Sequence, residues 1–200
     1  MTKRWRWSIL LALFAGIFLS IAYYIIPHWL DLRQREKVAW NFAKALEQKD
    51  FKEAARWVMK AEQDLGVNQQ VIASALETLK LPKMKLIGVK ALEQVDFKAN
   101  MRSIWSVEGR EEPVKVMLIL QREGKEWRVN FFFTFRRFCW LKFYLNGMDK
   151  IEAFRKAMIE AEEILGRLGV KGYVSPMGTV REMGEVKGWV TPEGWKEKKE

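Results

Sequence analysis

Only one of the 200 residues is a cysteine. Cys139 has no partner for an intramolecular disulfide, so a disulfide framework is excluded. Flanked by Phe138 and Trp140, its thiol reads as a small buried hydrophobe. Histidine is as scarce: His28 stands alone, at the edge of an apolar run. A catalytic triad, a histidine zinc site or a histidine base is badly placed there. No glycine-rich phosphate loop occurs. No metal site and no cofactor are expected. Acidic residues are missing from the first thirty positions, where Lys3, Arg4 and Arg6 carry the only charges.

What fills that acid-free stretch is an apolar run from Trp7 to Ile26, broken only by Ser8, Gly16 and Ser20. About twenty residues at 1.5 Å rise match a hydrocarbon core of roughly 30 Å. Trp5, Trp7, Tyr23, Tyr24 and Trp29 bracket the run, as amphipathic rings do at membrane interfaces. A cleaved signal peptide would need small residues at its far end, and Ile21-Ala22-Tyr23-Tyr24-Ile25-Ile26 is bulky. A buried soluble helix would not be apolar all round between aromatic flanks. The expected arrangement is a short cytoplasmic end over 1–6 and one transmembrane helix over 7–26. Everything after it then lies outside the cell membrane. The tight basic cluster ahead of the run places the N-terminus inside.

The remaining residues suffice for one domain and a tail. The net charge of +10 is uneven. Residues 85–147 hold 12 basic against 7 acidic side chains, while residues 148–200 balance at 10 against 10. No dense basic stripe or nucleic-acid module appears, so nucleic acid is not expected as a partner. An anionic lipid surface or envelope polymer suits the excess better, as does no charged partner at all.

Residues 31–49 read as a helix, with Val38, Phe42, Ala45 and Leu46 on one side, continuing the apolar helix past Pro27. Asp50-Phe51-Lys52-Glu53 has the capping-box pattern and opens a second helix to Leu65, with Ala54, Ala55, Val58 and Met59 inward. Gly66 ends it. Asn68 caps a third helix carrying Val71, Ile72, Ala75, Leu76 and Leu79. The period then falls to two, giving strands at 84–92, 100–108, 114–122 and 126–136. In the last, Trp127, Val129, Phe131, Phe133 and Phe135 share a face. Short connections make these neighbouring antiparallel strands. An amphipathic helix over 148–168 follows, with Ile151, Phe154, Met158, Ala161, Ile164, Leu165 and Leu168 as its stripe. The expected fold class is α+β: an N-terminal transmembrane helix, further helices, a four-stranded antiparallel curved sheet and a C-terminal amphipathic helix. The domain spans 31–137, the aromatic segment and last helix 138–171. Residues 172–200 read as an extended, partly disordered tail, which Trp189 and Trp195 tack onto the body.

The pattern Phe42-x-x-Ala45-Leu46-x-x-x-Asp50-x-x-x-Ala54, with helices ahead of a four-stranded meander, resembles the opening of the nuclear-transport-factor-2-like (cystatin-like) α+β cone. The resemblance covers residues 31–137. It implies a curved sheet wrapped on the first helix around a cavity. Members include enzymes, ligand binders and membrane-anchored envelope subunits such as the assembly factor of type IV secretion machines, so the fold alone leaves function open.

Two clusters and a few carboxylates remain as site candidates. Arg136, Arg137, Phe138, Trp140, Lys142, Phe143 and Tyr144 mix basic heads with rings: a partner-binding or membrane-surface patch, or else a covered turn. Trp127, Phe131, Phe133 and Phe135 read as core, or as a pocket wall for an apolar small molecule. Enzymes with this cone often place an acid or a tyrosine on the inner wall. Asp96, Asp64, Glu77 and Tyr144 are the candidates, Asp96 the foremost for an isomerase or hydrolase. A solvated side chain or helix cap is the commoner role for each. The leading expectation is a non-catalytic, single-pass binding or assembly protein of the cell envelope, acting on another envelope protein or on itself. A carrier or sensor of an apolar molecule is the alternative.

Overall fold

The computed structural model describes residues 13–95, 98–175, 179–183, 188–191 and 194–197. The first element is a single helix, α1 (Leu13–Gln48), long and apolar enough to cross a membrane. Its first half is exposed: Leu13, Phe14, Ile17, Phe18 and Leu19 touch no core. Its second half supplies Val38, Ala39, Phe42, Ala43 and Ala45 to the core. Pro27 does not break it. Ile21–Ile25 form a π turn whose end is marked by the Ile26 N–H donating to the Ile21 carbonyl. The wider turn absorbs the donor and the space that a proline ring takes from the preceding turn.

Lys49 adopts a left-handed φ of 57°, and α1 stops there. Asp50 then caps α2 (Phe51–Arg56), its Oδ1 accepting the Glu53 N–H at 2.9 Å. The reciprocal half of the capping box is missing, because the Glu53 carboxylate accepts from Arg56 and from the Trp57 indole instead. The single helix expected to Leu65 is two helices. Residues 57–59 leave the helix so that Val58 bridges Val129 in parallel; Val129 N–H donates to the Trp57 carbonyl at 2.8 Å and Met59 N–H to the Val129 carbonyl at 3.1 Å. The sheet edge there satisfies backbone groups that a continuous helix would leave orphaned. α3 (Lys60–Asp64) restarts the helix. α4 (Gln69–Leu79) follows, with Asn68 Oδ1 accepting the Gln70 and Val71 N–H groups.

β1 (Met84–Val95), β2 (Lys98–Val107), β3 (Val114–Glu123) and β4 (Glu126–Val129) form one antiparallel sheet in chain order, curled around α1. Every second residue of β2 is buried, and those between are part-buried or, at Ser106, exposed. Ala99, Met101, Ser103, Trp105 and Val107 share the buried face with Val116, Leu118 and Leu120. The buried Trp105 indole donates to Ser103 Oγ at 2.8 Å, and that hydroxyl donates to the Val116 carbonyl.

The fourth strand stops at Val129, and the aromatic run expected to extend it is helix α5 (Phe131–Leu145). Asn130 turns the chain: its N–H still donates to the Ile119 carbonyl, while its Oδ1 caps the helix on Phe133 N–H. Thr134 Oγ1 then accepts the Ile119 N–H, closing the β3 edge. Phe131, Phe132, Thr134 and Phe135 are all buried. A segment buried over most of its circumference shows little helical period, so alternating phenylalanines mimicked a strand.

α6 (Lys150–Arg167) packs antiparallel against α5. Ala161, Ile164 and Leu165 face inward as expected, but in the first half of the helix Ala153 and Ala157 take the core positions expected for Ile151, Phe154 and Met158. The aromatic face of α5 leaves room only for a small-residue ridge. Ile151 is 67% exposed and Ile159 61%, and Phe154 and Met158 lie at the open surface. In the tail, β5 (Gly172–Val174) pairs with β6 (Val180–Glu182), and β7 (Gly188–Thr191) with β8 (Gly194–Glu197), so its described residues are hairpins where an extended chain was expected. A Cβ on Gly172 would sit 2.3 Å from the Arg181 carbonyl oxygen. Gly172→Ala is expected to open the β5–β6 hairpin, read as faster amide exchange over 172–182.

Candidate functional site: a buried polar junction and an open helix face

A chain of helix caps joins sheet to helices. The Glu123 carboxylate, at the end of β3, accepts the Lys60 and Ala61 N–H groups and so caps α3. From α3, Glu62 points inward, fully buried, and accepts the Phe131 and Phe132 N–H groups at 2.5 and 3.2 Å, capping α5. Beside it, Asn130 Nδ2 donates to Gln121 Oε1 at 2.7 Å and to the Val174 carbonyl at 2.8 Å. Gln121 Nε2 donates to the Ser175 carbonyl. Burial pushes the Glu62 carboxyl up to about 8, with the nearby Glu123 charge acting the same way, although the helix N–H groups pull down. The sequence carried one hint. Glu62 lies four residues past Val58, on the stripe that points inward.

An uncommon buried carboxyl suggests chemistry, but every polar partner here is a backbone group or an amide of the junction itself. The junction binds α3, β3, α5 and β5 to one another. None of the other carboxylate candidates joins it: Asp64 and Glu77 are exposed, and Asp96 lies outside the described residues. Among the described residues no cluster of three or more metal-ligating side chains occurs.

The expected 136–145 patch is divided by the helix. Phe138, 2% exposed, meets Trp105 edge-on with ring centroids 6.3 Å apart. Cys139 and Leu141 are wholly buried, and burial holds the Cys139 thiol well above its ordinary range. Trp140, Phe143 and Tyr144 are part-buried against the core. Trp140 stacks on Tyr144 at 5.0 Å, with Arg110 over the Tyr144 ring. Lys142 pairs with Glu160 of α6 at 2.6 Å. Of the expected pocket wall, Trp127, Phe131 and Phe135 are core residues, the two phenylalanines stacked at 5.7 Å. Phe133 alone is part-buried, edge-on to Tyr173.

Arg136 and Arg137 complete a different surface. The Arg136 guanidinium lies between the rings of Phe133 at 4.9 Å and Phe154 at 5.0 Å, and Arg137 also covers Phe154 at 5.2 Å. Arg136 donates to the Met158 sulfur at 3.4 Å, and its buried Nε has no partner among the described residues. Burial brings Arg136 down to about 10, with the neighbouring Arg137 charge adding to the effect, and burial lowers Arg137 as well. No family model and no curated protein matches this chain. Ile151, Phe154, Met158 and Ile159 on α6 form an exposed apolar stripe, and Arg136, Arg137 and Arg155 bring cationic groups to its flank. Sequence periodicity found Ile151, Phe154 and Met158 but assigned them to the core, and it left Ile159 off the stripe.

Proposed function

We propose that the chain is a single-pass, membrane-anchored protein whose domain lies outside the cell membrane and binds another envelope protein without catalysis. The observation that carries this reading is α1. One unbroken helix is bare and apolar over its first half and is core of the domain over its second. Such a helix ties the domain rigidly to a bilayer. The partner surface is the α6 stripe, and the desolvated Arg136, with no ion pair among the described residues, together with Arg137 suits a partner that brings an apolar face edged by carboxylates. The helices ahead of a curled four-stranded meander also support the nuclear-transport-factor-2-like assignment, which forms part of the proposal.

Two measurements test it. A thiol placed at Glu112, in the exposed β2–β3 turn, is expected to react with a membrane-impermeant maleimide on intact cells; labelling only after lysis would put the domain inside. Native mass spectrometry of the gently extracted protein is expected to show a stoichiometric protein partner. Ile151→Asp with Ile159→Asp should release it with the thermal midpoint retained. Retention of the partner by that variant overturns the α6 surface.

A further inference from the structure

The domain's position against its own membrane follows from two hydrogen bonds at opposite ends of the domain-packed half of α1. At the far end, Leu86 N–H donates to Glu47 Oε1, and the register Leu86↔Trp105↔Val114 brings the start of β3 to the level of Glu47. β3 then runs back along α1. Its 10 residues rise ~33 Å, the length of about 22 helical residues, which counts back from Glu47 to Ile25. At the near end, the Trp127 indole donates to Asp31 Oδ1 at 2.7 Å, with Arg35 over the ring. The β3–β4 turn at Gly124-Lys125 lies about 7 Å beyond Trp127, and Pro27 lies about 6 Å before Asp31 along the helix. The first route brings the end of β3, and the second the turn that follows it, to Ile25–Pro27, where the apolar run ends.

The charges at that end are one-sided. Asp31 is held by Arg35 and Trp127, Glu123 caps α3, and Glu126 is taken by Arg128. Exposed Arg122, lying over Trp127, and exposed Lys125 and Arg33, the latter over Trp29, have no ion pair among the described residues. Cations stacked on indole rings at a bilayer boundary match phospholipid headgroups. We propose that the β3–β4 turn rests on the membrane and engages anionic lipid headgroups through Arg122 and Lys125, giving the domain a second foothold beside its anchor. This rests on the anchored reading above.

Hydrogen exchange on the full chain in nanodiscs tests it. In discs of phosphatidylcholine with about a third phosphatidylglycerol, amides of 122–127 should exchange about 25-fold more slowly than in phosphatidylcholine alone, each of the two cations contributing about a fivefold preference. Amides of the distant 108–113 turn should not change. Arg122→Glu with Lys125→Glu, both exposed, should erase the difference. Equal exchange at 122–127 in both discs overturns the lipid foothold with the anchor intact. Failure of the chain to co-elute with discs overturns the anchored reading itself.

Discussion

Glu62→Ala is expected to destabilise the domain by about 3 kcal/mol, because it leaves the Phe131 and Phe132 N–H groups buried without acceptors. Glu62→Gln retains an acceptor of nearly the same shape and should cost much less. The two variants also separate in their pH behaviour. The carboxyl is raised from 4.5 to about 8 in the folded chain. Its protonated form is therefore favoured by folding, and its contribution is complete below pH 4.5. Between pH 4.5 and 8 the folded chain keeps a proton that the unfolded chain has released. Stability should fall with rising pH across that window, by at most about 1.4 kcal/mol per unit. Denaturant unfolding followed by circular dichroism from pH 5 to 9 measures the slope. Glu62→Gln should flatten it, and a slope unchanged in that variant would assign the titration elsewhere.

The second large effect separates core from surface in the aromatic segment. Phe138→Ser should cost about 4 kcal/mol, since it empties a fully packed site against Trp105 and puts a hydroxyl there. Ile151→Ser and Ile159→Ser, on the open side of α6, should stay within about 0.5 kcal/mol of wild type. Equal losses at all three positions would mean that the α6 face is covered within the chain and is not a docking surface. Thermal unfolding in one detergent suffices for the comparison.

The contrast shows why hydrophobicity alone misplaced the first half of this face, while Ala161, Ile164 and Leu165 are buried as expected. Phe138 and Ile159 look alike in a composition window. Which one is buried depends on the distance between α5 and α6, and Ala153, Ala157 and Ala161 set that distance by allowing close approach. A rotation of α6 by less than half a turn exchanges the core stripe for the exposed one. Nothing local to α6 chooses between them, since either face is amphipathic.

Local physics was enough for much of the rest. The apolar run specified a helix that can cross a membrane, because every residue in it agrees. Asp50 and Asn68 specified helix starts through short-range hydrogen bonds, and period-two alternation in β2 and β3 specified strands. The tertiary structure decided what local preference left degenerate. Residues 57–59 left their helix because the β4 edge offered a partner. Phe131–Phe135 became helix because Asn130 and Thr134 could close the β3 edge while Glu62, from a distant helix, supplied the cap. Such contacts join residues tens of positions apart, and no window of sequence contains both ends of the bond.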